Sequence, residues 1–164
     1  MNADPAVTVR PARPEDAAAI LRLVEGLAEY EKLPPPDAAA RERLIRDMFA
    51  TPPRIEPFLA EWDGKAAGYA FVFETYSSFL ALPTLYLEDI FVLPGFRSRR
   101  IGYHLFTALV REALRRGCGR MDWSVLTWNR LAIDFYERLG ATELAEWRLF
   151  RLGVPEMKAI VTHK

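Results

Sequence analysis

An α+β fold built on a mixed sheet is what this sequence predicts, on three observations. Strand-like apolar runs follow one another between Phe58 and Leu93 with only turns between them, which implies antiparallel neighbours. Two later passages run strand, helix, strand, which implies parallel pairing with right-handed crossovers. The element order is β-α-α-β-β-β-α-β-α-β, which lacks the strict alternation of a doubly wound fold.

The first strand is "VTVR", Val7 to Arg10, where apolar and polar residues alternate. A helix follows in "RPEDAAAILRLVEGLAEYE". Pro14 suits its first position, and Glu15 and Asp16 favour the positive end of its dipole. Ala17, Ile20, Leu21, Val24 and Leu27 recur at helical spacing, so one face is buried. The prolines of "KLPPPD" end that helix. Asp37 then caps a second helix that runs to about Phe49. Asp63-Gly64, a pair that accepts positive φ, predicts a hairpin within "FLAEWDGKAAGYAFVFETY".

The fourth strand is "LYLEDIFVL", ending at Leu93. A helix from Ile101 carries Gly102, Leu105, Phe106, Leu109 and Ala113 on one face. Arg115 and Arg116 lie at its negative end, and Gly117 follows as the residue that closes it. "RMDWSVL" reads as a fifth strand. In "NRLAIDFYERLG" Asn129 is the cap, Ala132, Phe135, Tyr136 and Leu139 form one face, and Gly140 ends the helix. "WRLFRL", from Trp147, reads as a sixth strand, and the last dozen residues as a short helix. No repeat or linker interrupts the chain, so residues 1–164 are expected to be one domain.

The 22 basic and 22 acidic residues leave no net charge. Global electrostatics therefore gives no case for nucleic acid, and any anion site must be local. The longest uncharged run, Thr75 to Leu87, contains Pro83 and is shorter than the about 20 apolar residues a spanning helix needs, so no membrane segment is expected. The opening residues carry no basic-then-apolar leader pattern. The single cysteine, Cys118, excludes an internal disulfide and a cysteine-rich metal site, and suits a reduced, cytoplasmic setting. No metal is expected.

One loop stands against this neutral background. Between the fourth strand and the next helix lie Arg97, Arg99 and Arg100. A solvated turn is one reading. The other is an anion cradle, because free N–H groups at a helix start and arginine side chains both bind phosphate.

"LEDIFVLPGFRSRRIG" followed by "WNRLAIDFYERLGA" resembles the GCN5-related N-acetyltransferase (GNAT) superfamily. "ILRLVEGLAEYEKL", "LYLEDIFV" and "EWRLF" extend the likeness to its spermidine/spermine (diamine) and thialysine N-acetyltransferase branch. The resemblance implies a largely antiparallel central sheet with helices on both faces, acetyl-CoA as co-substrate, and a homodimer. It places the coenzyme against Ile90, Phe91 and Val92, the loop Arg97, Ser98, Arg99, Arg100, Ile101, Gly102 and Tyr103, and Asn129 and Tyr136. Arg100 stands where the family has glycine, whose bare backbone approaches a diphosphate freely. An arginine there sits at negative φ or bears strain. Gly102 matches the family's close-packing position.

The same likeness makes Glu88 the general base, acting through water, and Tyr136 the general acid. An alkyl ammonium, with a pKa of about 10.4, must lose a proton before it attacks a thioester. A backbone N–H at Ile90 or Phe91 would meet the developing oxyanion. The apolar neighbours of Glu88 and Asp89 suggest burial, which raises a carboxyl pKa. For Asp89 an ion pair or a wet strand end competes with substrate contact. For Tyr136 the competing reading is packing beside Phe135. His104 and Cys118 have no expected catalytic role, so direct transfer in a ternary complex is expected.

For the amine, the resemblance points to Tyr30, Glu31, Glu88, Asp89, Asp122, Trp123, Ser124 and Trp147. Carboxylates with aromatic faces suit a cationic chain, although Trp123 and Trp147 could equally pack in a core. Ser77 stands where polyamine-acetylating members carry an acid, which tilts toward a thialysine- or lysine-like amine. A protein or peptide N-acetyltransferase and a non-catalytic acyl-CoA-binding module are the alternatives.

Overall fold

The structure is a computed structural model that describes residues 7–162. The opening residues read for a leader lie outside that range. The chain forms two compact units that divide after Ser124.

Among the described residues, the first unit is a five-stranded sheet with three α-helices. Its strands are β1 (Val7–Pro11), β2 (Glu56–Trp62), β3 (Lys65–Ser77), β4 (Leu82–Val92) and β5 (Arg120–Trp123), side by side in that order. The junctions from β1 to β4 are antiparallel and β4–β5 is parallel. The helices are α1 (Ala17–Glu31), α2 (Ala38–Met48) and α3 (Ile101–Arg115).

Local chemistry accounts for most boundaries. Pro14–Asp16 form a 3-10 turn rather than the start of α1, and Asp16 Oδ2 accepts the Arg13 N–H at 2.7 Å. Asp37 caps α2 by accepting the Ala40 N–H at 2.8 Å, as expected. Asp63 and Gly64 both take positive φ at the β2–β3 turn, the conformation a two-residue hairpin requires.

The two sheet faces carry different helices. Leu59, Tyr69, Phe71 and Phe91 form one core with Ile20 and Leu23 of α1 and Met48 of α2. Ala70, Val72 and Val92 alternate with these residues and so face the other way. There α3 packs on the sheet through Ile101, Leu105, Phe106, Leu109 and Ala113, with Gly102 over Val92.

A bulge interrupts the β3–β4 ladder. Asp89 lies opposite Phe71 and Leu87 opposite Val72, which leaves Glu88 as the extra residue. Beyond it the parity of β4 is reversed. Leu85 and Leu87 share the face of Val72, whereas Asp89 and Phe91 share that of Phe71 and Tyr69.

The second unit holds α4 (Arg130–Arg138) and α5 (Val154–Thr162). Asn129 Oδ1 accepts the Ala132 N–H at 3.2 Å, the expected cap, and Gly140 takes positive φ. The sixth strand expected at "WRLFRL" does not form. Residues 147–152 have no regular secondary structure and are exposed. Their pattern explains this: Trp147 and Leu149 would face one way, Phe150 and Leu152 the other, so no single apolar face marks a register.

Candidate active site

The parallel β4–β5 ladder ends at Leu87 opposite Trp123, one residue before the bulge. Among the described residues of the first unit, β4 from Glu88 to Val92 therefore has β3 on one side and no strand on the other. The Leu93 N–H donates to Ala67 O at 2.9 Å, toward β3. Amide direction alternates along an antiparallel ladder. The N–H groups of Ile90 and Val92 thus point to the open edge, and that of Phe91 belongs to the β3 ladder. Of the two donors expected for an oxyanion, only Ile90 points out of the ladder.

The open edge leads into the arginine loop. Arg97 is half-buried, and its Nε donates to Val92 O at 3.2 Å. Its guanidinium lies 4.9 Å from the centre of the Tyr30 ring and 5.9 Å from that of Phe91. Arg99 covers Trp62 at 4.8 Å, and Arg100 covers Tyr103 at 5.0 Å. Ser98, Arg99 and Arg100 are exposed. Aromatic rings thus hold the three side chains without neutralising them.

Ser98 and Arg100 sit at φ 63° and 59°. Left-handed backbone costs a residue with a Cβ on the order of 1–2 kcal/mol, so the loop bears the strain that a glycine at 100 would relieve. Arg100 is also the N-cap of α3 and gives no side-chain cap. The first helical bond runs from His104 N–H to Arg100 O at 3.0 Å. The amides of Ile101, Gly102 and Tyr103 precede it and have no place in the helical ladder. Close packing does not demand Gly102, since a Cβ there would meet Val92 Cγ2 at an ordinary 3.8 Å.

The carboxylates behave differently from expectation. Glu88 is exposed rather than buried, because β5 stops short of it and the bulge turns it outward. The carboxyl drawn into the sheet is that of Asp89, which is half-buried. Burial pushes it up to about 6, against a lowering hydrogen bond from Tyr69 Oη to Oδ2 at 3.0 Å, and Glu88 and Glu31 add to the rise. Burial also raises Glu31, at the end of α1. Among the described residues none of Glu31, Glu88 and Asp89 has an arginine or lysine partner. Arginine pairing is common elsewhere: Arg10 binds Asp16 and Glu61, and Arg116 binds Glu56, Glu74 and Glu112.

The other expected substrate residues divide. Tyr30 lies beside this group, between Arg97 and Phe91. It also lines a pocket of about 290 Å³ with Gly26, Glu29, Phe91, Leu93 and Pro94. Trp123 is on the opposite face, edge-on to Phe106 of α3 at 5.4 Å. Asp122 pairs with Arg120 at 3.0 Å, and Ser124 Oγ lies 3.3 Å from Tyr86 Oη. Trp147, in the second unit, is 79% exposed and is not a core residue. Ser77 is buried and accepts the Leu80 N–H at 3.2 Å, closing the β3–β4 turn. That role explains the serine without reference to any amine. Tyr136 of α4 is buried, with its ring 5.4 Å from Phe135, and burial pushes its hydroxyl up to about 12.

Two residues of this site escaped the sequence reading. Tyr69 is one, because its bond to Asp89 exists only in the β3–β4 register. Gly68 is the other: a Cβ there would stand 2.6 Å from Phe91 O. Its only sequence signal is a glycine inside an apolar strand.

The chain matches the model of the acetyltransferase (GNAT) family over residues 20–141. It is 34% identical over 165 residues to the thialysine N-epsilon-acetyltransferase of Bos taurus, covering 94% of this chain and 96% of that protein. An L-ornithine N5-acetyltransferase of Arabidopsis thaliana is 40% identical over 116 residues, 70% of this chain, and the match spans 51% of that protein. Among solved structures, an integron cassette protein from the mobile metagenome of V. cholerae superimposes with a TM-score of 0.80 at 19% identity, covering 96% of this chain and 98% of that one. That last likeness is one of fold.

Proposed function

The chain belongs to the acetyltransferase (GNAT) family, and from that premise we propose that it moves an acetyl group from acetyl-CoA to a primary amine of a small cationic molecule: a diamine, a polyamine or a thialysine- or lysine-like amine. One observation carries the substrate half of this reading. Glu31, Glu88 and Asp89 act on one another or on Tyr69 electrostatically, and among the described residues no arginine or lysine pairs with them. Glu31 and Asp89 are half-buried, where a carboxylate without a cation is costly, and an ammonium offsets that cost.

For the coenzyme, the donor set fits a diphosphate: main-chain amides at the start of α3 and the exposed guanidinium groups of Arg99 and Arg100. Arg97 braces the loop on Tyr30 while keeping its charge nearby. When bound, acetyl-CoA supplies the acetyl group as a thioester. Glu88, exposed at the bulge, takes the proton of the substrate ammonium through water. The Ile90 N–H, aimed out of the ladder, meets negative charge growing on the carbonyl oxygen. Tyr136, the general acid by likeness to the family, is kept protonated by burial and would give its proton to the departing sulfur. Both substrates are bound together. After the attack the nitrogen sheds its second proton, which makes good the one Tyr136 gave to sulfur, and the proton on Glu88 passes to water. The products are an acetamide and the free thiol of coenzyme A.

The test is to incubate the protein with acetyl-CoA and separately with thialysine, L-ornithine, spermidine and a lysine-containing peptide, following thiol release. Release with the small amines supports the reading. Acetylation of the peptide alone moves the assignment to a protein acetyltransferase, and tight acetyl-CoA binding without release moves it to a non-catalytic module.

The reading extends to a cytoplasmic homodimer. Trp147, Leu149, Phe150, Ile160 and Val161 of the second unit are all at least 60% exposed, and large apolar side chains left in water are what a subunit interface would cover. Light scattering at the mass of one chain would remove the dimer.

A further inference from the structure

Tyr69 lies in the middle of β3 with no exposed surface. Its ring meets Phe71 edge-on at 4.9 Å and joins the core under α1. A phenylalanine would fill the same space. The hydroxyl is therefore the part of this residue that packing does not require, and a buried phenol without a partner would be costly. Its partner is Asp89: Oη donates to Oδ2 at 3.0 Å across the β3–β4 ladder. The contact is diagonal, since Tyr69 lies opposite Phe91 and Asp89 opposite Phe71. It depends on the bulge, which gives Asp89 the same face as Tyr69.

From this geometry we infer that Tyr69 is a positioning residue for amine recognition: its hydroxyl fixes one oxygen of Asp89 and leaves the other, Oδ1, as an oriented anionic contact for a substrate ammonium. This inference rests on the amine-acetylation reading given above. Three groups act on the Asp89 carboxyl: Tyr69 from β3, Glu88 from β4 and Glu31 from α1. The two carboxylates oppose its ionisation, and so does burial. Tyr69 is the group that favours it, so it sets both the charge and the aim of Asp89.

The experiment uses the full chain and Tyr69→Phe, which keeps the ring. The side-chain carboxyl of Asp89 is titrated by carbon NMR in each protein without ligand, and KM and kcat for thialysine are measured from pH 5.5 to 8. In Tyr69→Phe the Asp89 midpoint moves to higher pH. KM rises about tenfold near pH 6.5, with kcat changed much less, and the acid limb of kcat/KM moves up with the midpoint. In an Asp89→Asn background the same substitution leaves KM within about twofold, because the group it positions is gone. An unmoved Asp89 midpoint overturns the inference. So does an equal KM rise in both backgrounds, which would make Tyr69 merely structural. If Asp89 shifts but the unaltered protein acetylates no small amine, the amine reading falls and takes the substrate role of Tyr69 with it.

Discussion

Gly68 and Phe91 stand closer across the β3–β4 ladder than any other residue type at 68 would allow: a Cβ would sit 2.6 Å from the Phe91 carbonyl oxygen and 3.2 Å from Val92 Cγ2. One of those neighbours is main chain and cannot rotate away. Gly68→Ala is expected to destabilise the fold by about 1–3 kcal/mol, read by urea denaturation. It should also lower turnover, since the strand it displaces presents Ile90. Unaltered stability would mean the two strands part easily.

Arg100→Gly removes left-handed strain and one cation together. We expect stability to hold or rise, since relief of on the order of 1 kcal/mol outweighs the added freedom of the unfolded glycine. Acetyl-CoA affinity by calorimetry should be equal or better if Arg100 is only tolerated at this position. A collapse in affinity would identify the guanidinium as a phosphate ligand.

Tyr136→Phe should reduce kcat at least about a hundredfold, the usual scale for loss of a general acid. Acetyl-CoA affinity should be unchanged, because the ring remains. Because burial pushes this hydroxyl up to about 12, the rate should show no downward limb below pH 9 from its ionisation. A mutant that turns over at the normal rate would remove Tyr136 from the chemistry.

Asp89→Asn should separate stability from function. The folded carboxyl, pushed up to about 6 from 3.8, holds a proton over a range in which the unfolded chain has lost it. Stability therefore declines as pH rises from about 4 to 6, and the whole cost is present above that. At pH 7 the asparagine protein should be more stable by roughly 1–3 kcal/mol, while at pH 4 the two should be alike. Thialysine KM should rise in the same variant. A variant less stable at pH 7 would show that ionised Asp89 is already well compensated.

What could be read from the sequence was local. The Asp37 and Asn129 caps, the Asp63-Gly64 turn and the apolar stripe of α3 each depend on residues within a few positions of one another, and each is present. Sheet register is different. The apolar sequence neighbours of Glu88 imply burial, yet it is exposed, because β5 ends before reaching it. The Tyr69–Asp89 bond depends on a bulge that shifts β4 by one residue, and no local pattern marks it. "WRLFRL" has strand-forming residues but no face, and composition alone did not make it a strand.

The extra residue in β4 ties chemistry to architecture in a way a surface loop would not. Delete Glu88, and the register closes. Either Asp89 and Phe91 rotate out from under α1, or Leu85 and Leu87 rotate away from α3. The proton acceptor in the proposed reaction is thus also the spacer that lets one strand serve two opposed cores, and a lineage could replace its carboxylate far more readily than it could lose the position.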